Sequence, residues 1–455
     1  MTVRAIVLAA GKGTRMKCDL PKVLHTIAGR PIVEWVVTTI RDAGVADIIV
    51  VIPPDSDAVA AALPAGVRSV VQHERGGTGH ATRIALEAMG DVSNDTVLVV
   101  AGDTPLFTSA TIAALMAAHS GPATVLTTRV PDPTGYGRIR RSADGVVVAI
   151  VEEKDADDAT RAIDEVAMST YVFDGAALIA ALPNVGRANA KGEEYLTDVV
   201  GMLAPVAGFD VADHRETLGI NSHDQLAEAE ALMRARINLA WMQAGVWMQD
   251  PATTYLAASV QLAPGVRLLP GVHLEGTTSI AGGAVVGPQT FVIDSTIGAG
   301  SRVGYSVVRG AEIGEHVEVG PYASIRPGTI LRRGSKAGTF VEIKASEVGE
   351  GSKVPHLAYV GDTTIGEDSN LGAGTVTCNY DGRQKHRTII GDRVFIGSDT
   401  MLVAPVEVGD DAVTGAGSVI TRNVSPGSLA VERSQQKELP GYAARRGHAD
   451  ESEGE

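Results

Sequence analysis

Small aliphatic residues return every six positions through the second half of the chain, and this period constrains the fold more tightly than any other feature. Ile313, Val319, Ile325 and Leu331 form one series, and Ile390, Ile396, Leu402, Val408, Thr414 and Ile420 another. Many are followed directly by glycine, as in Val319-Gly320, Ile390-Gly391 and Val408-Gly409. A fixed phase of six predicts a hexapeptide β-helix: each hexad supplies one short strand, its aliphatic residue points inward, and stacked coils bury a core that no single repeat could bury. A β-sandwich would instead show turns about every 8–12 residues without a fixed phase. Two stretches break the phase, Val354 to Tyr359 (VPHLAY) and Thr377 to Thr388 (TCNYDGRQKHRT), and both are expected as interruptions of the stack. The second is polar and basic, suited to reach a neighbouring subunit.

The first half has another texture. Apolar runs RAIVLAA, DIIVVIP, RSVVQHE, TVLVVAGD and ATVLTTRV alternate with helix-like segments such as PIVEWVVTTIRDAG, the pattern of a doubly wound, mostly parallel α/β sheet. Ligands of such sheets bind beyond the C-terminal strand ends, which here means the loops Gly11 to Lys22, Gln72 to His80 and Gly102 to Pro105. The first of these, VLAAGKGTRMKCDLPK, matches neither the P-loop nor the dinucleotide fingerprint, whose third glycine is replaced by Met16. Its small residues Ala9, Ala10, Gly11 and Gly13 nevertheless let backbone N–H groups approach an anion, with Lys12, Arg15 and Lys22 nearby. An ordinary strand-to-helix turn with surface cations is the other reading of that loop taken alone.

From residue 223 to Gly245 there is no glycine or proline, and good helix formers predict one long connecting helix. The net charge of −15 argues against a nucleic-acid coat or an anionic membrane surface. Cys18 and Cys378 are too few for a disulfide framework, so a reducing, cytoplasmic setting is expected. The N-terminus reads as a strand rather than a signal peptide, no apolar run reaches the ~18 residues of a membrane span, and the acidic tail Ala449 to Glu455 is expected to be disordered.

In their order along the chain, LAAGKGTRM, DLPKVLH, GTGHA, GD.P, DPTGYGRI, GVWMQDP, FVEIK, HL.Y.GD, IGAGT.TCNYDG and VFIGSD closely resemble the bacterial bifunctional enzymes that are both glucosamine-1-phosphate N-acetyltransferase and N-acetylglucosamine-1-phosphate uridylyltransferase. The resemblance covers nearly the whole chain. It implies a Rossmann-like nucleotidyltransferase domain over 1–222, a linker helix over 223–250, a left-handed parallel β-helix acetyltransferase domain over 251–440 and a tail over 441–455. It also implies Mg2+ as cofactor, UTP and acetyl-CoA as co-substrates, a homotrimer with acetyl sites built between chains, and a product used for cell-wall precursors.

Residue by residue, the resemblance makes Asp103 and Asn221 the metal ligands, and has Arg15 and Lys22 stabilise the charge that develops on pyrophosphate. Gln72, Gly77 and Thr78 match uracil-binding positions, and Gly137 and Glu152 match sugar contacts. Leu8, Ala9, Gly11 and Ala101 complete the nucleotide and sugar set. In one place the chain departs from the pattern: an N-[ST]-G run after Glu-Val reads Ala167-Met168-Ser169, so the expected sugar-binding amide is missing.

In the second domain His356 matches the base, with Glu342 as an orienting or assisting carboxylate. Arg326, Lys344, Tyr359 and Asn370 match the amino-sugar-phosphate positions. Ala373, Asn379, Tyr380, Lys385, Ser398, Ala416 and Arg433 match the acetyl-CoA side or the loop that closes it. Pro355 is a second departure, expected to alter the reach of His356 by restricting Val354. Two other readings keep the fold: a different sugar 1-phosphate or nucleotide in the first domain, or a non-catalytic regulatory subunit.

Overall fold

The computed structural model describes residues 2–446 apart from Lys12 and Asp55. Lys12, named above among the loop cations, and the tail Ala449 to Glu455 lie outside the described residues. The chain divides into two compact units, Met1–Ile237 and Asn238–Glu455.

In the first unit, β1 (Val3–Leu8), β2 (Asp47–Ile52), β3 (Arg68–Val71), β4 (Thr96–Ala101), β5 (Ala123–Arg129), β6 (Gly137–Arg141), β7 (Val147–Val151), β8 (Glu165–Asp174) and β9 (Ala207–Asp210) form one sheet. Its order is β9-β5-β8-β4-β1-β2-β3, with the β6–β7 hairpin attached through β6 to β8. The strands β3, β2, β1 and β4 are parallel, and only β8 runs against its neighbours β4 and β5 in the main path.

Alternation along β1 explains the two layers. Ile6 packs with Ala81, Ala85 and Leu86 of α2 (Thr78–Met89) and with Leu196 and Val199 of α3 (Leu196–Leu203). Ala5 and Val7 face the other way, onto Val33, Val36 and Ile40 of α1 (Ile32–Asp42). Each buried Val or Ile contributes about 1.5–3 kcal/mol, so the strand ends that carry the loops are held from both faces.

The long helix α4 spans His223–Gln243, shorter than the expected 223–250. Gly245, in the left-handed region at φ 93°, stops it. Trp247–Met248 is already a strand, paired in parallel with Arg267–Leu268, so solenoid pairing starts before residue 251.

Among the described residues the second unit contains three parallel sheets of eleven, ten and nine strands, and the chain passes from the first to the second to the third and back until Val419–Ile420, after which the next strand, Leu429–Ala430, belongs to the first again. The residues of the six-fold series point inward: Ile313, Leu331, Ile396 and Leu402 are all at most 1% exposed. Like residues stack on the outside as well, the rings of Tyr255, His273 and Phe291 lying 4.4 and 4.2 Å apart in near-parallel planes.

One of the two expected interruptions is real. Between the strands Val376–Cys378 and Thr388–Ile390 the chain makes an excursion bridged by Tyr380 and Lys385. The other is not. Lys353–His356 and Tyr359–Gly361 are ordinary strands in register with Lys336–Thr339 and Glu342–Lys344, and Leu357 turns the corner between them at φ 48°. The Pro355 carbonyl lies over Gly338, where a Cβ would come within 2.0 Å of it, so position 338 has room only for glycine.

Candidate active sites

A cavity of about 410 Å³ opens at the C-terminal ends of β1, β3 and β4. All three loops singled out from sequence contribute to its wall. Leu8, Ala9, Gly11, Lys22, Gln72, Gly77, Thr78, Ala101, Asp103 and Glu152 line it. Gly137 backs onto it, its Cα position leaving a would-be Cβ 3.7 Å from Glu152 Oε1. Arg15 is not part of the wall: it is exposed on the turn Thr14–Met16, which buries Met16 instead.

At one end the charges converge. Lys22 Nζ donates to Asp103 Oδ2 and, at 3.0 Å, to Asn221 Oδ1. The Lys22 and Asp103 side chains are only 11% and 18% exposed. Two oxygens from distant parts of the chain thus meet on a single cationic position. Lys22 is brought there by Gly13, whose bare Cα at φ 61° leaves room for the lysine stem: a Cβ on Gly13 would lie 2.9 Å from Lys22 Cβ.

The other end is built around the Glu152 carboxyl and the Tyr171 phenol, with the Lys191 ammonium close enough to act on Glu152. Glu152 accepts a hydrogen bond from Thr197 Oγ1 at 3.2 Å, and burial pushes its carboxyl above the usual range against that bond. Burial, with Glu152 nearby, also pushes the Tyr171 phenol up, against a hydrogen bond from the Ser169 side chain. Ser169, Tyr171, Glu193, Leu196, Thr197 and Arg75 line the cavity as well, and sequence reasoning did not select them. Arg75 lies in the loop Gln72 to His80 and Ser169 in the departing run after Glu-Val, while the signal for Glu193, Leu196 and Thr197 is the polar run Gly192-Glu193-Glu194-Tyr195 ahead of the apolar α3.

That run closes over α2. Gly79 N donates to Glu194 O at 2.8 Å, Glu194 N to Gly76 O at 2.7 Å, and Leu196 N to Thr78 Oγ1 at 2.9 Å. Burial would raise the Glu194 carboxyl, but hydrogen bonds from Arg187 and Arg83 outweigh it and hold the group below the ordinary range. Gly77 sits under this clasp at φ 103°, and a Cβ there would lie 2.4 Å from Glu194 O. Gly77→Ala is therefore expected to cost about 3 kcal/mol through strain and overpacking. Denaturant unfolding checks this, and an unchanged midpoint for the first unit would contradict the clash.

In the solenoid the candidates fall on two different corners. At the turn from the first sheet to the second lie His356, Ala373, Ser398 and Ala416 in successive coils. Gly374 N donates to His356 O, Asp399 N to Ala373 O, and Gly417 N to Ser398 O. Arg433 Nη1 donates to Ala416 O at 2.9 Å.

At the turn from the second sheet to the third lie Arg326, Lys344, Asp362 and Asn379. Lys344 Nζ is 3.4 Å from Asp362 Oδ2, which also accepts from Asn379 Nδ2 at 2.5 Å. Tyr359 Oη accepts from the same amide at 3.5 Å. Lys344 and Lys385 act on each other: Lys344 is raised by Lys385 and by Asp362, while Lys385 is lowered by Lys344. Tyr380 is exposed on the excursion, and Asn370 lies on the first sheet.

Glu342 departs from expectation. Its carboxylate accepts from Arg326 Nη1 at 2.7 Å, because the two residues occupy adjacent coils of the second sheet, whereas His356 ends a strand of the first. Within one chain Glu342 serves Arg326 and does not orient His356.

Known proteins match both halves. A family model for a MobA-like NTP transferase domain covers residues 5–166, and one for bacterial transferase hexapeptide (six repeats) covers 387–422. The chain is 50% identical to the Bifunctional protein GlmU of Heliobacterium modesticaldum, over 97% of this chain and 98% of that one. It is 49% identical to the protein of the same name from Streptomyces avermitilis (97% and 94% covered) and 43% identical to that of Syntrophomonas wolfei (97% and 99%). A nucleotidyltransferase sheet, a left-handed hexapeptide β-helix and identity at this level along almost the entire length place the chain in the bifunctional GlmU family.

Proposed function

We propose that the C-terminal unit moves the acetyl group of acetyl-CoA onto the amine of glucosamine 1-phosphate, and that the N-terminal unit joins the product to the uridylyl group of UTP with loss of pyrophosphate. The observation that carries the first-unit reading is the meeting of Lys22, Asp103 and Asn221 at the mouth of a cavity walled by Gly11, Gln72 and Gly77. We take residues 1–222 and 251–440 as the two catalytic domains on either side of the linker.

The donor set fits Mg2+, which takes one or two protein oxygens and completes its shell with substrate phosphate and water. Asp103 and Asn221 would hold it, their oxygens already sharing one positive charge. Bound there, the ion would neutralise phosphate charge and polarise the α-phosphoryl group. Lys22 supplies a cation to the phosphates as the sugar phosphate oxygen attacks the α-phosphorus and pyrophosphate leaves, with exposed Arg15 adding charge from the loop. Gln72, Gly77 and Thr78 hold the base, and Glu152 with Gly137 the sugar.

In the second unit His356 takes the proton from the sugar amine as the nitrogen attacks the thioester carbonyl and the CoA thiolate leaves. Arg326, Lys344, Tyr359 and Asn370 hold the amino sugar phosphate, and Glu342 steadies Arg326. Ala373, Ser398 and Ala416 form the CoA track, with Asn379, Tyr380, Lys385 and Arg433 closing it. The base and the phosphate-binding cations sit on different corners of one solenoid, which supports a site completed between chains and hence a homotrimer. We place the enzyme in the cytoplasm, where its nucleotide and CoA substrates are made; among the described residues no helix is long and apolar enough to cross a membrane.

Purified full-length protein given glucosamine 1-phosphate, acetyl-CoA, UTP and magnesium should form UDP-N-acetylglucosamine and pyrophosphate. Chelation should stop the second reaction and spare the first. Absence of the nucleotide sugar under these conditions would refute the assignment.

A further inference from the structure

The sugar end of the nucleotidyltransferase cavity lacks the amide that the family pattern puts at position 167, and the structure shows what stands beside the gap. Ala167 is 6% exposed, paired with Gly137, and packed with Val125, Ile139 and Ile150. The register of β8 against β5 then slips between Ala167 and Tyr171.

Within the slip, Ser169 adopts φ 49°, a left-handed conformation that is costly for a residue with a Cβ. The bulge turns its side chain out of the strand. Ser169 is exposed between buried Met168 and Thr170, and it lines the cavity with Tyr171, Glu152 and Thr197. Strain of this kind, spent to aim a polar side chain into a cavity, is a mark of function. Glycine, the last residue of an N-[ST]-G run, would adopt the same backbone without strain, yet it would bring no hydroxyl. The groups around Ser169 include the Thr197 hydroxyl, the Tyr171 phenol and the half-buried Glu152 carboxyl, hydrogen-bonding partners that suit the hydroxyl and acylamino groups of a sugar.

We propose that the Ser169 hydroxyl is a specificity-determining contact to the sugar 1-phosphate, supplying the hydrogen bond that an amide at 167 would otherwise make. The proposal rests on the uridylyl-transfer reading above. The Ser169 hydroxyl already meets the Tyr171 phenol, so a substrate group would use its remaining hydrogen-bonding capacity, and analogues lacking that group forgo the bond.

The test uses full-length Ser169→Ala and Ser169→Gly, with N-acetylglucosamine 1-phosphate and glucose 1-phosphate compared at saturating UTP. In both variants kcat/KM for the N-acetylated sugar should fall about tenfold, the worth of one hydrogen bond, and the preference over glucose 1-phosphate should narrow. The KM for UTP and the rate of acetyl transfer should stay unchanged, the latter reporting that the protein is intact. Two results would overturn the proposal: discrimination kept at the wild-type level in both variants, or lost in Ser169→Ala but kept in Ser169→Gly, which would assign the effect to backbone geometry. Wild-type protein that forms no UDP-sugar at all would instead overturn the underlying activity.

Discussion

Asp103→Ala is expected to lower uridylyl transfer about a hundred- to a thousandfold, the loss typical of removing one preorganised electrostatic group, while acetyl transfer by the same protein stays at its wild-type rate. The reason is local. Asp103 shares Lys22 with Asn221, and both charged side chains are largely buried, so removing the carboxylate takes away a metal ligand and leaves the ammonium with only an amide oxygen. Asp103→Asn keeps the shape and one acceptor but loses the charge. It should therefore fold like the wild type yet need far more magnesium for half-maximal rate. Steady-state rates of pyrophosphate release across a magnesium titration read both effects. An Asp103→Asn enzyme with wild-type magnesium dependence would remove Asp103 from the metal site.

His356→Ala should do the converse. Acetyl transfer should drop about 10²- to 10⁴-fold, the usual contribution of a positioned general base, and uridylyl transfer from supplied N-acetylglucosamine 1-phosphate should continue. The side chain is exposed at the end of the strand Lys353–His356, whose pairing is made by the backbone, so the substitution should leave the melting temperature nearly unchanged. Following free CoA with a thiol reagent gives the rate. Acetyl transfer within a few-fold of wild type would assign the base elsewhere.

What could be read in advance depended on whether a residue's role is local. The inward aliphatic residues of the solenoid were legible because their burial follows from position within each hexad. So were the three loops of the first unit, because strand ends of a parallel sheet place them. The VPHLAY stretch misled because proline and histidine replace the usual pattern, although its backbone keeps the register of the coil before it. Corners were equally hard to foresee: Tyr305, Tyr322, Phe340 and Leu357 all turn at positive φ, where glycine is the normal expectation. Thr197 and Glu193 reach the cavity from a segment more than a hundred residues after Gln72, and only the tertiary clasp onto α2 brings them there. The pairing of Glu342 with Arg326 likewise follows from which coil lies above which, a relation absent from either residue's neighbours in sequence.

The excursion between Cys378 and Thr388 leaves the ladder on both sides undisturbed: Val376 still pairs with Met401, and Thr363 with Thr388. A chain that can leave a corner and return to the same rung can change the length of that detour without renegotiating the core. At its tip, between the bridged residues Tyr380 and Lys385, such a corner is a tolerant insertion point, where drift or an engineer could vary length while the stack keeps its form.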